Sequence, residues 1–341
     1  MDLKDFEYDL PEASIAQTPA EPRDAARLLV VDRARGALDD RTFRELPELL
    51  RPGDCVVVND TRVIPARVFA TDAGGRRIEL LFAEPLAPAR WRALVRPGRR
   101  CRAGVELRVG DARLRIAAVE ADGPRIIERL DGTIDELIAR HGLPPLPPYI
   151  ARHAAPVAVD RERYQTVYAD PPGSIAAPTA GLHFTTSVLE RLAGRGIEVH
   201  RITLHVGPAT FRPIATDVVE AHVLPPERTI VPESTARAVN AARVEGRRVV
   251  AVGTTVTRAL ESAATVEGRV EPLAGVASIY IHPGHRFRVV DALLTNFHRP
   301  RTSLLVLACA FAGRELIMKA YTHAVRAGYR FYSYGDATLI V

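Results

Sequence analysis

Apolar and polar positions alternate with two different periods along this chain. Near the N-terminus, and again from about residue 161 onward, short apolar runs are separated by stretches with helical periodicity. Between about residues 63 and 130, segments of strict alternation follow one another with turn residues and no helix between them. The two periods predict two kinds of domain, one of α/β type and one built from strands alone.

The stretches of the first kind predict buried strands that alternate with amphipathic helices. Such alternation is typical of a sheet covered by helices on both faces, which gives a three-layer α/β domain. A capping-box pattern at Thr42 and Glu45 predicts a short additional helix. The expected strands are 27–32, 55–58, 198–206, 248–252, 276–281 and 289–294. The expected helices include one from Ser187 that ends at Gly194 or Gly196, and also 232–245, 256–264 and 303–327.

The stretch of strict alternation predicts a small antiparallel β-barrel. Turn residues such as Gly74-Gly75 and Pro97-Gly98 separate its strands. A proline-rich segment, 143–149, follows these strands and predicts a stiff, extended connector. We therefore expect a discontinuous α/β domain formed by 1–62 and 151–341, with the barrel domain, 63–150, inserted into it.

The composition indicates an ordinary globular protein, since 47% of the 341 residues are hydrophobic and 26% are charged. The longest apolar run, 304–312, is too short to cross a bilayer. The N-terminal residues lack the basic start and the apolar stretch of a signal peptide. The three cysteines form no C-x-x-C pair, so neither a disulfide framework nor a zinc ribbon is expected. Together these features predict a cytoplasmic protein.

The charge balance is basic, with a formal net charge of +5 and a sequence pI of about 9.3. A basic balance permits a polyanionic partner such as a nucleic acid. However, every basic residue except Lys4 and Lys319 is an arginine, which is typical of a coding bias across a whole genome. Charge alone therefore leaves nucleic-acid binding and an ordinary solvated surface as open alternatives.

Polar residues are concentrated directly after the predicted strands, where ligands bind in α/β sheets. Between one strand and the next helix, Gly253, Thr254 and Thr255 offer hydroxyls and backbone N–H groups to an anion. Arg258 and Glu261 lie three residues apart on the same predicted helix and so occupy neighbouring positions. The alternative is an ordinary helix cap followed by a surface ion pair.

Two histidines are candidates for acid–base chemistry. His183 precedes a predicted helix, where the helix dipole favours a neutral imidazole that can act as a base or acceptor. A structural role is the alternative for His183, and also for His205, which lies in a predicted strand. His282 and His285 flank a Pro-Gly turn without an evident third ligand, so no metal site is predicted.

Three common catalytic signatures are absent from the sequence, namely G-x-G-x-x-G after a strand, the Walker A motif and G-x-S-x-G. The residues taken by themselves therefore indicate an α/β enzyme with an inserted barrel and an unidentified polar site.

Ten short strings, in one order from end to end, resemble the S-adenosylmethionine:tRNA ribosyltransferase-isomerase family of queuosine biosynthesis. Any single string is a weak signal, whereas the ordered set covers nearly the whole chain and is specific. The strings are F-x-Y-D-L-P from Phe6, N-D-T-R-V-I-P-A-R from Asn59, P-L-P-P-Y-I from Pro145, Y-Q-T-V-Y-A from Tyr164, A-A-P-T-A-G-L-H-F-T from Ala176, L-H-V-G, V-G-T-T, R-A-L-E-S, V-V-D-A-L-L-T-N-F-H and Y-R-F-Y-S-Y-G-D-A from Tyr329.

The resemblance implies a reaction and its partners. The family transfers the ribosyl part of S-adenosylmethionine to 7-aminomethyl-7-deazaguanine at the wobble position of a tRNA. The ribose rearranges to an epoxycyclopentane, which gives epoxyqueuosine, and adenine and methionine leave. The family uses S-adenosylmethionine as a substrate and needs no cofactor and no metal. Its fold is a larger α/β domain with a β-barrel insertion, and we expect a monomer without a membrane partner.

The implied chemistry suggests roles for individual residues. A base must remove a proton beside the sulfonium, whose positive charge raises the acidity of that carbon. Adenine needs a hydrogen bond or proton as it leaves, and the methionine carboxylate needs an anion site. The expected catalytic residues are His183, Glu261 and Asp336, and the expected substrate-binding residues are Asn59, Arg62, Thr179, His205, Thr254, Thr255, Arg258, Asn296 and His298.

The sequence departs from the family strings at several loop positions, which are Pro208, Ala209, Pro225, Val256 and Thr257. Two alternatives therefore stay open beside the ribosyltransferase. One is a relative that uses S-adenosylmethionine with a different acceptor, and the other is a non-catalytic RNA-binding protein of the same fold.

Overall fold

Two hydrogen-bonded systems of strands dominate the computed structural model, which describes residues 1–121, 123–152, 158–207 and 214–341. The strands are β1 (Arg27–Asp32), β2 (Ala37–Thr42), β3 (Cys55–Asn59), β4 (Arg62–Val63), β5 (Arg67–Thr71), β6 (Arg77–Ala87), β7 (Arg90–Arg96), β8 (Glu106–Val109), β9 (Ala112–Val119), β10 (Arg125–Arg129), β11 (Pro172–Ser174), β12 (Glu198–Leu204), β13 (Glu227–Val231), β14 (Val249–Val252), β15 (Leu273–Ala277), β16 (Ala292–Asn296) and β17 (Ala337–Ile340). The α-helices are α1 (Leu46–Leu49), α2 (Ile134–His141), α3 (Ala158–Arg163), α4 (Thr186–Gly194), α5 (Glu233–Val244), α6 (Thr254–Ser262), α7 (Ser303–Ala312) and α8 (Arg314–Arg326).

The larger sheet has the strand order β15-β13-β12-β3-β14-β16-β17-β1-β2 within the described residues. Its four central strands, β12, β3, β14 and β16, are parallel to one another. Their carboxyl ends therefore meet at one edge of the sheet. Strand β17 runs antiparallel to β16, so the loop before β17 reaches the same edge.

Helices cover both faces of this sheet, because its central strands are apolar on both sides. Every residue of β3, β14 and β16 is buried. One core packs α5, α6, α7 and α8 against the sheet, and a second core packs α4 and the segment around α1 against the other face. The predicted three-layer α/β class is confirmed, and so is the capping box at Thr42 and Glu45.

The smaller system is a closed antiparallel barrel with the strand order β10-β7-β6-β5-β8-β9. Side chains alternate along its strands, and inward residues such as Val68, Ile78, Leu80 and Leu114 form a core of their own. Helix α2 adds its apolar face to this core. The predicted barrel is confirmed, while the domain boundaries at 62 and 151 stay a prediction.

Three sequence predictions of element bounds were wrong. The expected helix 303–327 is two helices, because Gly313 adopts φ +84°, a left-handed conformation that ends α7 and starts α8. The expected strand 276–281 ends at Ala277 in β15, and the expected strand 289–294 begins only at Ala292 in β16. The carboxylate of Glu261 accepts the N–H groups of residues 288–290, so these donors are not free for a strand ladder.

Strands β2, β13 and β17 were not predicted, and each lies outside the parallel centre of the sheet. Within the described residues, no helix has the length and apolar character needed to cross a membrane.

Candidate functional site

A cavity of about 720 Å³ opens at the edge where the parallel strands end. Ligands bind at this edge of α/β sheets, because the loops that follow the strands converge there. Some cavity walls come from loops after β14 and β16, and others from segments far away in the sequence. The lining segments lie within 7–15, 148–149, 176–180, 206, 214, 253–255, 295–304 and 332–333.

The N-terminus of α6 forms one wall of the cavity. Gly253 is the N-cap residue and adopts φ +95°, and it has no side chain to occupy the first-turn N–H groups. Those N–H groups have no acceptor within the helix, and the helix dipole makes this end favourable for an anion. Thr254 and Thr255 also line the cavity and add two hydroxyls. This wall can therefore bind a carboxylate or a phosphate.

Asn59 supports this wall from behind. Its Nδ2 donates to the Leu204 carbonyl (2.9 Å) and to Thr255 Oγ1 (3.3 Å). Its Oδ1 accepts the N–H groups of Leu204 (3.0 Å) and Thr61 (3.2 Å). Asn59 is only 1% exposed and all of these bonds are internal. It thus connects the ends of β3 and β12 to α6 and orients Thr255.

Asn296, the last residue of β16, lies on the cavity wall in a fixed orientation. Its Nδ2 is 3.2 Å from His183 Nε2, 3.3 Å from the Tyr332 carbonyl and 3.4 Å from the Asp336 carbonyl. Carbonyl oxygens can only accept, so the amide nitrogen rather than the oxygen must face them. Among the described residues, Asn296 Oδ1 has no hydrogen-bond partner. This acceptor remains for a ligand.

His183 and His298 are held neutral by the fold. Burial lowers the pKa of His183 to about 3, and the nearby charges of Arg330 and Arg23 act in the same direction. Burial alone lowers the pKa of His298 to about 3, and its Nε2 lies 2.9 Å from Thr295 Oγ1. A base with so low a pKa binds protons weakly near pH 7. His183 is neutral, as the sequence suggested, but burial rather than a helix dipole is the cause.

The loop 330–336 contributes Tyr332 and Ser333 to the cavity wall, where both contact Tyr149. Tyr332 adopts φ +73°, a left-handed conformation that is rare for an aromatic residue. A Cβ at Gly335 would lie 2.4 Å from the Arg330 carbonyl, so this tight loop requires glycine. Ser333 Oγ lies 2.6 Å from the Tyr149 hydroxyl, and the rings of Tyr149 and Tyr332 pack with centroids 4.7 Å apart.

An acidic rim from the N-terminal segment lines the same cavity, as do Arg299 and Arg301 of the loop after β16. Glu7, Asp9 and Glu12 all line the cavity. The hydroxyl of Tyr8, between them, donates to the His298 carbonyl and so attaches this segment to the loop after β16. Glu7 also lies 3.6 Å from the guanidinium of Arg301. The rim carries the carboxylates that a cationic ligand group would need.

Sequence reasoning missed the acidic rim and the tyrosines at positions 8, 149 and 332. A signal for the rim existed, because the string F-x-Y-D-L-P begins at Phe6 and contains Glu7, Tyr8 and Asp9. The same holds for Tyr332, which lies within the string that begins at Tyr329. The sequence predicts no role for the individual residues of either string, because nothing in the linear sequence indicates that the N-terminal segment lies beside the end of β16.

Five of the predicted site residues line the cavity, and they are Thr179, Thr254, Thr255, Asn296 and His298. Asn59 and His183 hydrogen-bond directly to members of this group. The remaining predicted residues are not on the cavity wall, and they are Arg62, His205, Arg258, Glu261 and Asp336.

Three of these remaining residues make internal contacts that fix the surrounding backbone. Arg258 forms a buried ion pair with Glu227 and donates from Nε to the Ile279 carbonyl (3.1 Å). Glu261 accepts three consecutive backbone N–H groups, as described above. Asp336 accepts the N–H groups of Arg27 (3.0 Å) and Arg330 (2.7 Å), which closes the loop before β17.

The other two lie near β4. The Arg62 guanidinium donates to the carbonyls of Ala169 (2.7 Å) and Asp170 (3.2 Å). His205 Nδ1 lies 2.8 Å from Thr61 Oγ1, and burial, assisted by the charge of Arg228, lowers its pKa. The placement of these five residues favours structural roles, while their predicted functional roles stay predictions.

The positions that depart from the family strings do not form part of the described cavity wall. Val256 and Thr257 are buried within α6, and Thr257 Oγ1 donates to the Gly253 carbonyl (3.2 Å). Pro225 is exposed in the loop before β13. Pro208 and Ala209 lie outside the described residues.

Within the part of the chain that the structure describes, no group of three histidine, cysteine or acidic side chains is arranged to hold a metal ion. His282 Nδ1 lies 2.9 Å from the Pro283 carbonyl, and His285 Nε2 lies 3.6 Å from Glu261. The prediction that the protein needs no metal stays a prediction.

The fold and the cavity together are those of an α/β enzyme with an inserted β-barrel, whose cavity lies at the carboxyl edge of the parallel strands. The family model described as queuosine biosynthesis protein matches residues 3–340. The chain therefore belongs to the queuosine biosynthesis protein family.

Named relatives cover the chain from end to end. It is 50% identical to S-adenosylmethionine:tRNA ribosyltransferase-isomerase of Symbiobacterium thermophilum and to that of Moorella thermoacetica, with 100% of each chain covered. Among solved structures, it is similar to S-adenosylmethionine tRNA ribosyltransferase from Thermotoga maritima, with 37% identity and a TM-score of 0.56. That match covers 99% of this chain and 100% of the other.

Proposed function

We propose that this protein transfers and isomerises the ribosyl moiety of S-adenosylmethionine onto 7-aminomethyl-7-deazaguanine at the tRNA wobble position. The products are epoxyqueuosine-tRNA, adenine and methionine, and S-adenosylmethionine is a substrate rather than a cofactor. The named relatives, 50% identical over the full length, support this assignment. The observation that carries it is a single cavity with an anion-binding wall and an acidic rim.

The cavity offers partners for the charged groups of S-adenosylmethionine, which are a carboxylate and an ammonium at the methionine end and a sulfonium between methionine and adenosine. The methionine carboxylate would bind at the N-terminus of α6, near Thr254 and Thr255. The sulfonium would lie towards the acidic rim and the tyrosine faces, which attract cations. Burial raises the pKa of Tyr149 to about 12 and also raises the pKa of Tyr332, so both rings stay neutral beside the cation.

The proton beside the sulfonium requires a base with a free lone pair in the cavity. His183 does not line the cavity, and the lone pair of its Nε2 faces the Asn296 amide nitrogen at 3.2 Å. Asp9 lines the cavity and makes no ion pair with any described residue. We assign the base to the Asp9 carboxylate, and we assign His183 a positioning role through the amide of Asn296.

Adenine release separates this function from its two alternatives. The purified protein is incubated with S-adenosylmethionine, with tRNA carrying 7-aminomethyl-7-deazaguanine and with the same tRNA unmodified. The proposed function predicts adenine and methionine release only with the modified tRNA. Tight S-adenosylmethionine binding without a response to that tRNA would indicate a different acceptor. RNA binding without affinity for S-adenosylmethionine would indicate a non-catalytic protein.

The assignment of the base has its own test. Asp9→Asn keeps the size of the side chain and removes the basic oxygen, so we expect adenine release to fall at least about a hundredfold. The matched control is Asp5→Asn, which changes an exposed acid of the same segment that does not line the cavity. Normal turnover in Asp9→Asn, or an equal loss in Asp5→Asn, would exclude the assignment.

We further propose that the protein acts in the cytoplasm, where its tRNA substrate is found, and as a monomer. Light scattering coupled to size-exclusion chromatography tests the oligomeric state, and a mass of twice 37.3 kDa would contradict the proposal.

A further inference from the structure

The basic charge of the protein is unevenly distributed between its two parts. Residues 63–150 contain 15 arginines and 11 acidic residues, a net charge of +4. The rest of the chain contains 31 basic and 30 acidic residues, a net charge of +1. A coding bias towards arginine acts on the whole chain, so it does not explain an excess that is confined to the barrel.

Within the barrel, the excess positive charge lies at one end. This end is formed by the turn between β5 and β6, the loop between β7 and β8 and the adjoining strand ends. Thr71, at the end of β5, pairs with both Arg77 and Arg108, which shows that these strand ends are neighbours. We call this end the cationic end, and its exposed arginines are Arg76, Arg77, Arg96, Arg99, Arg100, Arg102 and Arg108.

These arginines are not neutralised by the described part of the protein. None of the seven forms an ion pair within 4.0 Å with a described residue, whereas Arg92, Arg115 and Arg129 elsewhere in the barrel do. Three acids adjoin them. The pKa of Asp72 is lowered first by the Arg76 N–H group and also by the charges of Arg76 and Arg100. Glu79 and Glu106 form ion pairs with other arginines, Arg67 and Arg115, so the seven arginines leave a local excess of positive charge.

The backbone of the cationic end is held in a defined shape. Arg125, on β10, donates from Nη2 to the Gly98 carbonyl (2.7 Å) and from Nε to the Cys101 carbonyl (3.2 Å). The Arg77 guanidinium lies 3.6 Å from the centre of the Phe69 ring. These contacts present the arginines on a built surface rather than on a loose loop.

A continuous path connects the cationic end to the cavity. The Arg67 Nη2 donates to the Leu146 carbonyl (2.5 Å), three residues before Tyr149 on the cavity wall. Arg67 also pairs with Glu79 (3.1 Å), whose partner on β7 is Arg96. Thr71 lies four residue steps along β5 from Arg67, or about 13 Å at the usual strand rise. The cationic end therefore lies within the reach of an RNA whose base occupies the cavity.

We propose that the cationic end of the barrel binds backbone phosphates of the tRNA whose wobble base enters the cavity, a proposal that rests on the proposed function. Arginine guanidinium groups pair with phosphate oxygens, and such contacts position an RNA without reading its sequence. The barrel thus supplies affinity and register, and the α/β domain supplies the chemistry.

The test is direct tRNA binding at several salt concentrations, with adenine release measured in parallel. The variant R76Q/R99Q/R100Q removes three charges from the cationic end. The control, R90Q/R113Q/R140Q, removes three exposed charges from strand starts and from α2 at the opposite end of the same barrel. Both variants have the same net charge, so a difference between them reflects position alone.

We expect the first variant to bind tRNA at least about tenfold more weakly near 0.1 M salt. The slope of log binding constant against log salt concentration should become shallower by about 0.7 to 0.9 for each phosphate contact removed. Adenine release at saturating tRNA and the KM for S-adenosylmethionine should stay unchanged. Wild-type affinity and slope in the first variant, or an equal loss in the control, would overturn the proposal. Absence of adenine release by the wild type with intact tRNA binding would instead refute the proposed function.

Discussion

Two buried, neutral histidines predict that the protein loses stability in mild acid. Burial lowers the pKa of both His183 and His298 to about 3, whereas an unfolded histidine titrates near 6.5. Between these two pH values the two histidines are protonated in the unfolded chain but not in the folded protein, so lowering the pH favours unfolding. The stabilising effect is complete above about pH 6.5 and is lost progressively as the pH falls towards 3.

The size of the effect follows from the same linkage. One pH unit below the unfolded pKa, each histidine lowers the free energy of unfolding by roughly 1.4 kcal/mol, so the pair contributes about 3 kcal/mol between pH 7.5 and pH 5.5. His205 and His222, whose pKa values burial also lowers, act in the same direction. Asp60, whose pKa burial raises, acts in the opposite direction.

Comparison with a variant isolates the two histidines from these other groups. Urea unfolding is measured at pH 7.5 and pH 5.5 for the wild type and for H183Q/H298Q. The glutamines lower the absolute stability, but they do not titrate, so the variant should lose about 3 kcal/mol less than the wild type on acidification. If the double variant does not fold, the single variants are measured instead. In each of them, the acid-induced loss of stability should be smaller than in the wild type by about half of that amount. An equal acid-induced loss in wild type and variants would refute the reasoning.

Three further substitutions have expected outcomes that the structure sets. Asn296→Ala removes a fixed amide from the cavity wall and should lower the kcat of adenine release at least about a hundredfold with an unchanged circular dichroism spectrum; a loss below threefold would contradict this. Gly253→Ala places a side chain at φ +95°, so the melting temperature should fall by an amount equivalent to about 1–2 kcal/mol. The affinity for S-adenosylmethionine, measured by calorimetry, should also fall, and unchanged values of both would exclude a role for this conformation. Arg258→Met leaves the Glu227 carboxylate buried without its guanidinium and should cost about 3–5 kcal/mol in urea unfolding, and a cost below about 1 kcal/mol would show that the ion pair is dispensable.

The periodicity of apolar residues was sufficient to predict the layers of this fold. Fully apolar runs such as β3 and β14 occur because helices cover both faces of the sheet. The strict alternation in 67–129 occurs because the inner face of the barrel is buried and its outer face is exposed to solvent. The strand-end rule also located one part of the cavity, since Thr254, Thr255 and Asn296 lie where parallel strands end. These features depend on the local pattern of apolar residues and on the general rules for connecting strands and helices, and both can be applied to the sequence alone.

Other features depend on contacts between residues far apart in the chain. The pairing of Arg258 with Glu227 spans 31 positions, so the sequence alone does not show that this guanidinium has an internal partner. Glu261 caps residues 288–290 and thereby shortens β16, which no local propensity indicates. Tyr8 reaches the loop after β16 across 290 positions and brings the acidic rim with it. A linear pattern contains the residue types but not these partners.

The arrangement of charge in the cavity explains why its floor consists of neutral polar groups. The N-terminus of α6 is favourable for an anion, the acidic rim contributes Glu7, Asp9 and Glu12, and Arg299 and Arg301 add positive charge to the wall. Between them, Asn296, His298 and Tyr332 are nearly fully buried, and a charged side chain there would carry an uncompensated desolvation cost. Their neutrality is enforced, because burial lowers the pKa of His298 and raises that of Tyr332. These three groups therefore offer hydrogen bonds and an aromatic face without formal charge, whereas the charged side chains of the wall are the acids of the rim together with Arg299 and Arg301.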